Sequence, residues 1–230
     1  TDTPNVVMPT MLKNVEITDE VEAINKSTQQ LKRLGVKSIV VLAHVGGTTD
    51  ESGVTNGDLT RIANETDPEV DVIFGGHSHT YVNGTVNNKL VVQANSYGMA
   101  FADVDVKIDR KTQDIVEKKA EIVTTYHEGM EPDKKIKKKM EKYQAKIAPL
   151  VNEVVGKSIA PLDRKLNTAG ESTLGNLVAD AQRTTMQSQI ALMNPGGIRN
   201  DLDAGDITWG EIYGIQPFGN QLIKVDLTGQ

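Results

Sequence analysis

The chain has no cysteine among its 230 residues. Disulfides and thiolate metal ligands are therefore excluded, while the redox compartment stays open. Aromatic residues are sparse, with three Phe, one Trp and five Tyr, so an aromatic in a turn stands out. A basic excess is also missing. The 25 Lys and Arg are outnumbered by 31 Asp and Glu, for a net charge of -6. That balance disfavours a dedicated nucleic-acid binder. No apolar run approaches the length of a membrane span. Without thiolates, a bound metal must rely on His, carboxylate, amide and water, a donor set that suits Zn²⁺ or Mn²⁺. A chain of this length has room for one large or two modest domains.

Histidine is scarce too, and three of the four are placed alike. Asp71-Val-Ile-Phe-Gly-Gly-His77-Ser-His79 is a short apolar strand running into paired glycines and a His-x-His. Ser38-Ile-Val-Val-Leu-Ala-His44 is a second apolar run ending in His, with Gly46 and Gly47 just beyond. Glycine lets a backbone turn tightly at a strand end. Imidazole is the commonest protein metal ligand near neutral pH. An isolated His-x-His is as readily a pair of surface histidines, since short motifs match by chance. Two such strand ends change that, because sites in open α/β sheets assemble outside the carboxyl ends of the strands. His127 lies in a polar stretch and reads as a solvated loop residue.

The elements around these runs alternate. Asp19 and Glu22 form a capping-box pair. Val21, Ile24, Leu31 and Leu34 follow at helical spacing, and Gly35 suits a C-terminal cap. A second helix is predicted over residues 55–65, and strands at 89–94 and 102–108. The alternation predicts an α/β layered architecture. Further on, Glu131-Pro-Asp133 opens a lysine-rich stretch, Lys134 to Lys146, with Ile136, Met140, Tyr143 and Ile147 at helical spacing. The plain reading is a connecting helix with one buried stripe and a solvated face; a basic, anion-attracting helix is the other. Beyond it, Ser172 or Thr173 would cap a helix whose Leu174, Leu177, Val178 and Ala181 read as core. A strand is predicted over 189–193. It leads to Asn194-Pro-Gly196-Gly197-Ile-Arg199, where adjacent glycines allow backbone to approach a ligand. Arg199 offers a planar donor fork suited to phosphate, though from composition alone a surface Arg in a turn explains it.

Taken together, these motifs resemble a known family. Val-Leu-Ala-His44 and Gly-Gly-His77-Ser-His79-Thr are similar to the later metal-binding motifs of calcineurin-like metallophosphoesterases. Glu171-Ser-Thr-Leu-Gly-Asn-Leu-Val-Ala-Asp180, Met193-Asn-Pro-Gly-Gly-Ile-Arg199, Gly205-Asp-Ile-Thr-Trp209, Gln216-Pro-Phe-Gly-Asn220 and Asp226-Leu-Thr-Gly229 resemble the motifs of 5′-nucleotidase C-terminal domains. The resemblance implies the later part of a metallophosphoesterase sandwich at 1–128, a linker helix at 129–155, and the first part of a nucleotidase C-terminal domain at 156–230. It implies two divalent metal ions, with His44 and His77 serving one and His79 the other. It implies a nucleotide held by Arg164, Asn194, Gly196, Gly197, Arg199, Phe218 and Asn220, with Phe218 stacking on the base. A second substrate arginine that the resemblance implies four residues after Arg164 is Thr168 here, a departure at a position that bears on substrate preference.

Other family segments are not found. The Asp-x-His, Gly-Asp and Asn-His runs that supply the remaining ligands and a catalytic His have no counterpart. The expectation is an internal piece of a larger protein, with no catalytic residue of its own. The parent is expected to be a metal-dependent phosphohydrolase of a nucleoside monophosphate, a nucleotide sugar or a 2′,3′-cyclic nucleotide, and this piece to be inactive. The alternative is a non-catalytic nucleotide-binding module; a third possibility is a structural fragment whose lysine helix docks a partner. The expected partner is a small-molecule nucleotide, not a nucleic acid. Most relatives are secreted, periplasmic or wall-attached, so the same is expected of the parent. Open sheet edges are expected to favour self-association.

Overall fold

The computed structural model describes residues 3–7 and 9–229. Thr1 and Gln230, where the fragment reading places its two open ends, lie outside the described residues. The chain divides into two compact units, Thr1–Met130 and Glu131–Gln230.

The first unit runs through α1 (Thr3–Val6), a 3₁₀ turn at Pro9–Leu12, α2 (Glu20–Arg33), β1 (Ile39–Leu42), β2 (Thr48–Thr49) and β3 (Thr55–Asn56). It continues through α3 (Asp58–Glu65), β4 (Val70–Phe74), β5 (Tyr81–Val86), β6 (Lys89–Ala94), β7 (Ala100–Ile108) and β8 (Ile115–Thr124). One sheet has the order β1-β4-β6-β5, with β1, β4 and β6 parallel and β5 antiparallel to β6. All three parallel strands therefore end on the same side. One face of the sheet is covered by helices: Val21 of α2 and Leu59, Ile62 and Ala63 of α3 pack with Ile39, Val70, Ile73 and Val91. On the other face, Val72, Leu90 and Val92 meet Ala102, Val104, Ala120 and Ile122 of the β7–β8 hairpin. The expected α/β layering is thus present, as helices, sheet and second sheet. Full burial of each Leu, Ile or Val here contributes roughly 1.5–3 kcal/mol.

Local chemistry sets the element ends. Asp19 accepts from the Glu22 backbone N–H and starts α2. Gly35, at φ +81°, ends it: its N–H bonds Lys32 O while the Val36 N–H bonds Leu31 O, a Schellman arrangement. The helix predicted over 55–65 begins three residues late, at Asp58. Thr55 and Asn56 pair instead with Thr49 and Thr48. Gly57, at φ +98°, breaks the chain direction between the two. A side chain there would press on Gly47 Cα. The unpredicted β5 follows β6's register through an Asn87-Asn88 turn, both residues at positive φ. β8 carries no apolar run that marks it as a strand, because its Glu-Lys-Lys stretch lies on an exposed hairpin.

The second unit comprises α4 (Lys134–Val151), β9 (Val154–Ser158), α5 (Thr173–Met186), a 3₁₀ turn at Pro195–Gly197, β10 (Gly205–Thr208) and α6 (Trp209–Ile215). β9 and β10 pair antiparallel. Leu174, Ile198, Leu202 and Ile215 form its core with Leu162, Val178, Met193 and Ile207. Asp133 caps α4 through the Lys135 and Ile136 N–H groups. Ser172, not Thr173, caps α5, accepting from Gly175.

Three expectations are corrected in this unit. The stripe of α4 is not buried: Ile136, Met140, Tyr143 and Ile147 are all exposed among the described residues. Leu177 and Ala181 of α5 are exposed as well. Residues 189–193 form no strand, because no ladder partner lies beside them among the described residues. Burial and pairing require a neighbour that spacing does not supply, and in α5 only Leu174 and Val178 of the four residues read as core lie on the face that packs.

Candidate active site

Three strand ends converge in the first unit. β1 leads to His44, Gly46 and Gly47; β4 leads to Gly75, Gly76, His77, Ser78 and His79; β6 leads to Asn95. The ladder continues past the strands, with the Ala43 N–H on Phe74 O, Gly75 on Val92 O and Gly76 on Val45 O. Gly75 and Gly76 are needed for closeness. A Cβ on Gly75 would lie 3.0 Å from Val45 O, and one on Gly76 3.2 Å from His44 Nδ1. The left-handed turn itself belongs to the histidines: φ is 75° at His77 and 58° at His79. A non-glycine residue in that region is uncommon, and such outliers collect at functional sites.

Ser78, between the two histidines, stitches the loops together. Its hydroxyl accepts from the Gly47 N–H at 3.2 Å and donates to Gly47 O at 3.1 Å. It also pairs with the Thr80 hydroxyl at 2.7 Å and accepts from Gln93 Nε2 at 2.9 Å. Gln93 is 3% exposed and also donates to Thr80 O at 2.9 Å. The one hydroxyl proton of Thr80 is directed either to Ser78 Oγ or to Gly47 O. Sequence reading missed Ser78, Thr80 and Gln93. The only local signal was a hydroxyl inside a His-x-His.

The histidine rings flank this network. His44 and His77 stand edge to face, 5.2 Å between centroids at 76°. His79 turns elsewhere and meets Tyr97 at 5.4 Å and 72°. All three imidazoles are exposed to solvent. His44 and His77 suit two positions on one divalent cation, by donor type and by proximity. Among the described residues, however, no group of three or more His, Cys, Asp or Glu is placed to hold a metal ion. A complete two-metal centre does not fit the described residues alone. His127 is an exposed loop residue.

The second unit gathers most of the expected binding residues in one region. The Arg164 backbone N–H and Nε both donate to Asp201 Oδ1, at 2.8 and 3.1 Å, and Nη1 reaches Ile198 O at 3.4 Å. The backbone bond first, and then the guanidinium, hold the Asp201 carboxyl below the usual carboxylate range. Arg164 lines a cavity of about 190 Å³ with Ser172, Asn176, Leu192, Met193 and Pro195. The Asn194 carbonyl accepts from the Gly197 N–H at 3.0 Å. Gly197 is buried, and a Cβ there would collide with Met193 Cε. Gly196 is exposed and has ordinary space for a Cβ. Arg199 lies over the Phe218 ring, 5.0 Å from its centroid, and Phe218 is half exposed. Asn220 is exposed, and Thr168 sits in an exposed turn.

A layered α/β unit with histidines at its parallel strand ends fits the calcineurin-like phosphoesterase fold. The comparisons agree. Residues 153–230 match the family model of the 5′-nucleotidase C-terminal domain. The chain is 47% identical to Endonuclease YhcR of Bacillus subtilis over 98% of its own length and 18% of that protein's. It is 34% identical to Cell wall protein Lmo0130 of Listeria monocytogenes, over all of this chain and 33% of that one. Among solved structures, a 5′-nucleotidase precursor from Thermus thermophilus superposes with a TM-score of 0.69 at 29% identity, covering 88% of this chain and 43% of that one. The calcineurin-like phosphoesterase YfkN from Bacillus subtilis shares the fold, with a TM-score of 0.50 at 21% identity, over 60% and 48%. The resemblance to 5′-nucleotidases and calcineurin-like phosphoesterases therefore holds. The chain spans less than half the length of each of these proteins.

Proposed function

We propose that this chain is the later phosphoesterase portion (1–128), linker helix (129–155) and first nucleotidase portion (156–230) of a metal-dependent phosphohydrolase acting on nucleotides. The observation that carries this reading is the His44–His77 pair, edge to face at two strand ends whose loops Ser78 ties together. His44 and His77 offer their imidazoles to one divalent cation and His79 to another. When bound, such ions lower the pKa of a water and stabilise the charge on phosphate. Arg199, Arg164 and the Asn194–Gly197 turn bind the nucleotide, and Phe218 takes the base on the face that Arg199 leaves open. Nucleoside monophosphates, nucleotide sugars and 2′,3′-cyclic nucleotides are the substrates to test. Wall-attached or exported location fits the cell-wall relative.

The chain alone brings together too few donors for a stable two-metal centre. It is expected to bind Mn²⁺ or Zn²⁺ weakly and to show little or no phosphatase activity. The test is metal titration by calorimetry beside phosphate release from the three nucleotide classes, with single-stranded DNA included because one relative is called an endonuclease. Metal-dependent turnover by the pure chain that His44→Ala abolishes would sink the inactive reading and keep the site. Metal uptake unchanged when all three histidines are replaced would sink the site. A second reading, a nucleotide-binding module without catalysis, is favoured by the Arg199–Phe218 pair, which needs no metal to form. Nucleotide binding that ignores chelator and is lost in Phe218→Ala would support it.

A further inference from the structure

Tyr97 has a placement in the first unit that the metal and nucleotide reading leaves unexplained. It occupies a tight turn, Ser96 to Met99, closed by the Met99 N–H on Ser96 O at 3.0 Å. Both central residues have positive φ, 56° at Tyr97 and 71° at Gly98. That is the pattern of a type I′ turn, whose first central position favours Asn, Asp or Gly. A bulky aromatic at positive φ is an outlier. Gly98 is where such a turn wants glycine; Tyr97 is not. Nor does the ring go to the core, since Tyr97 is 74% exposed. Its ring partner is His79, itself at positive φ, met edge-on at 5.4 Å.

The turn is also tied to the histidine loop. The Asn95 N–H donates to Thr80 O at 3.1 Å, one residue beyond His79. From the other side, the Thr125 N–H bonds Met99 O at 2.9 Å and its hydroxyl donates to Gly98 O. Two strand-end loops are thus pinned together, each carrying a ring on a left-handed residue, and the rings meet. An imidazole on a loop would otherwise sample several rotamers. An edge-on aromatic neighbour restricts it.

We propose that Tyr97 is the positioning residue for His79. It holds that imidazole in one orientation, apart from the His44–His77 pair, so that it is presented as a separate metal donor. The assignment of His79 as a donor rests on the function proposed above; the positioning does not. The ring, rather than the phenol hydroxyl, does the positioning, because the contact is edge to face.

The test uses the full chain with labelled histidine, comparing wild type, Tyr97→Phe, Tyr97→Ala and the distant control Tyr126→Ala by NMR. Without metal, the His79 ring resonances should be displaced from those of the solvated His127 in wild type, Tyr97→Phe and Tyr126→Ala. In Tyr97→Ala they should move to the His127 values while His44 and His77 stay in place. With Mn²⁺ alone as the probe, broadening of His79 in Tyr97→Ala should need about tenfold more metal, with His44 and His77 unchanged. The proposal is overturned if His79 keeps its wild-type shifts in Tyr97→Ala. It is equally overturned if His44 and His77 move as far as His79, or if Tyr97→Phe behaves like Tyr97→Ala. If Mn²⁺ broadens no histidine of the wild type, the metal reading fails, and the metal-free spectra still decide the role of Tyr97.

Discussion

Lys89 opens β6 with its side chain 1% exposed, and its Nζ has no hydrogen-bond partner among the described residues. Burial pushes the ammonium pKa down; Asp67 and Asp71 nearby oppose that, and Lys118 adds to it. Leaving a buried donor unsatisfied costs about 1–3 kcal/mol, more for a charged one. We therefore expect Lys89→Met to raise the urea midpoint, by an amount equivalent to about 1 kcal/mol or more. The sign with pH follows. The folded pKa lies below the unfolded one, so wild-type stability should rise as the solution is made alkaline, and the Met variant should lack that rise. A midpoint that falls in the variant would mean that the charge has a role unaccounted for. Asp67 has the same sign with pH for the opposite reason, because its charged form is favoured in the fold. The Glu69 backbone N–H lowers its pKa most, burial opposes, and Lys32, at 2.9 Å, lowers it further. Its contribution is whole above the unfolded pKa, about 3.9, and is lost as pH falls through the lower folded value. Comparing wild type with Asp67→Asn by urea denaturation, we expect the gap between them to close as pH drops from about 6 to about 2.5.

Among the elements, β1 carries a liability. It is an edge strand of the sheet, with Val40 52% and Leu42 82% exposed. An apolar edge with unpaired backbone groups recruits other strands. Leu42→Lys should shift sedimentation profiles toward the monomer without lowering thermal stability; an unchanged profile would place self-association elsewhere. Elements of this kind differ in how openly the sequence announces them. α2 was readable from Asp19 to Gly35, because cap, stripe and stop signal are all local. β6 was readable as a run of apolar residues between a turn and a polar stretch. The start of α3 was not, because Gly57 changes direction to suit Gly47, ten residues away. The stripe of α4 was legible as a stripe, but its exposure depends on what lies beside it.

At the scale of the whole chain, two units each own a core, one around Leu59, Ile62 and Ile73, the other around Leu174, Ile198 and Leu202. Separate cores are separate cooperative units unless something couples them. Calorimetry should therefore resolve two transitions. Leu59→Ala should lower one and Leu174→Ala the other, each by the equivalent of about 2–5 kcal/mol. A single transition moved by both substitutions would show that the units unfold together. What residue order alone disclosed was the family resemblance, the α/β layering, the three strand-end histidines and the glycine turn at Asn194–Gly197. Each is written in short runs whose spacing, glycines and caps act within a few residues. Only the folded chain decided which rings meet. His44 finds His77 while His79 finds Tyr97, and Arg199 finds Phe218 while Arg164 finds Asp201. These partners are remote or oppositely turned in sequence, and their pairing follows from loop closures and left-handed residues that no local pattern encodes.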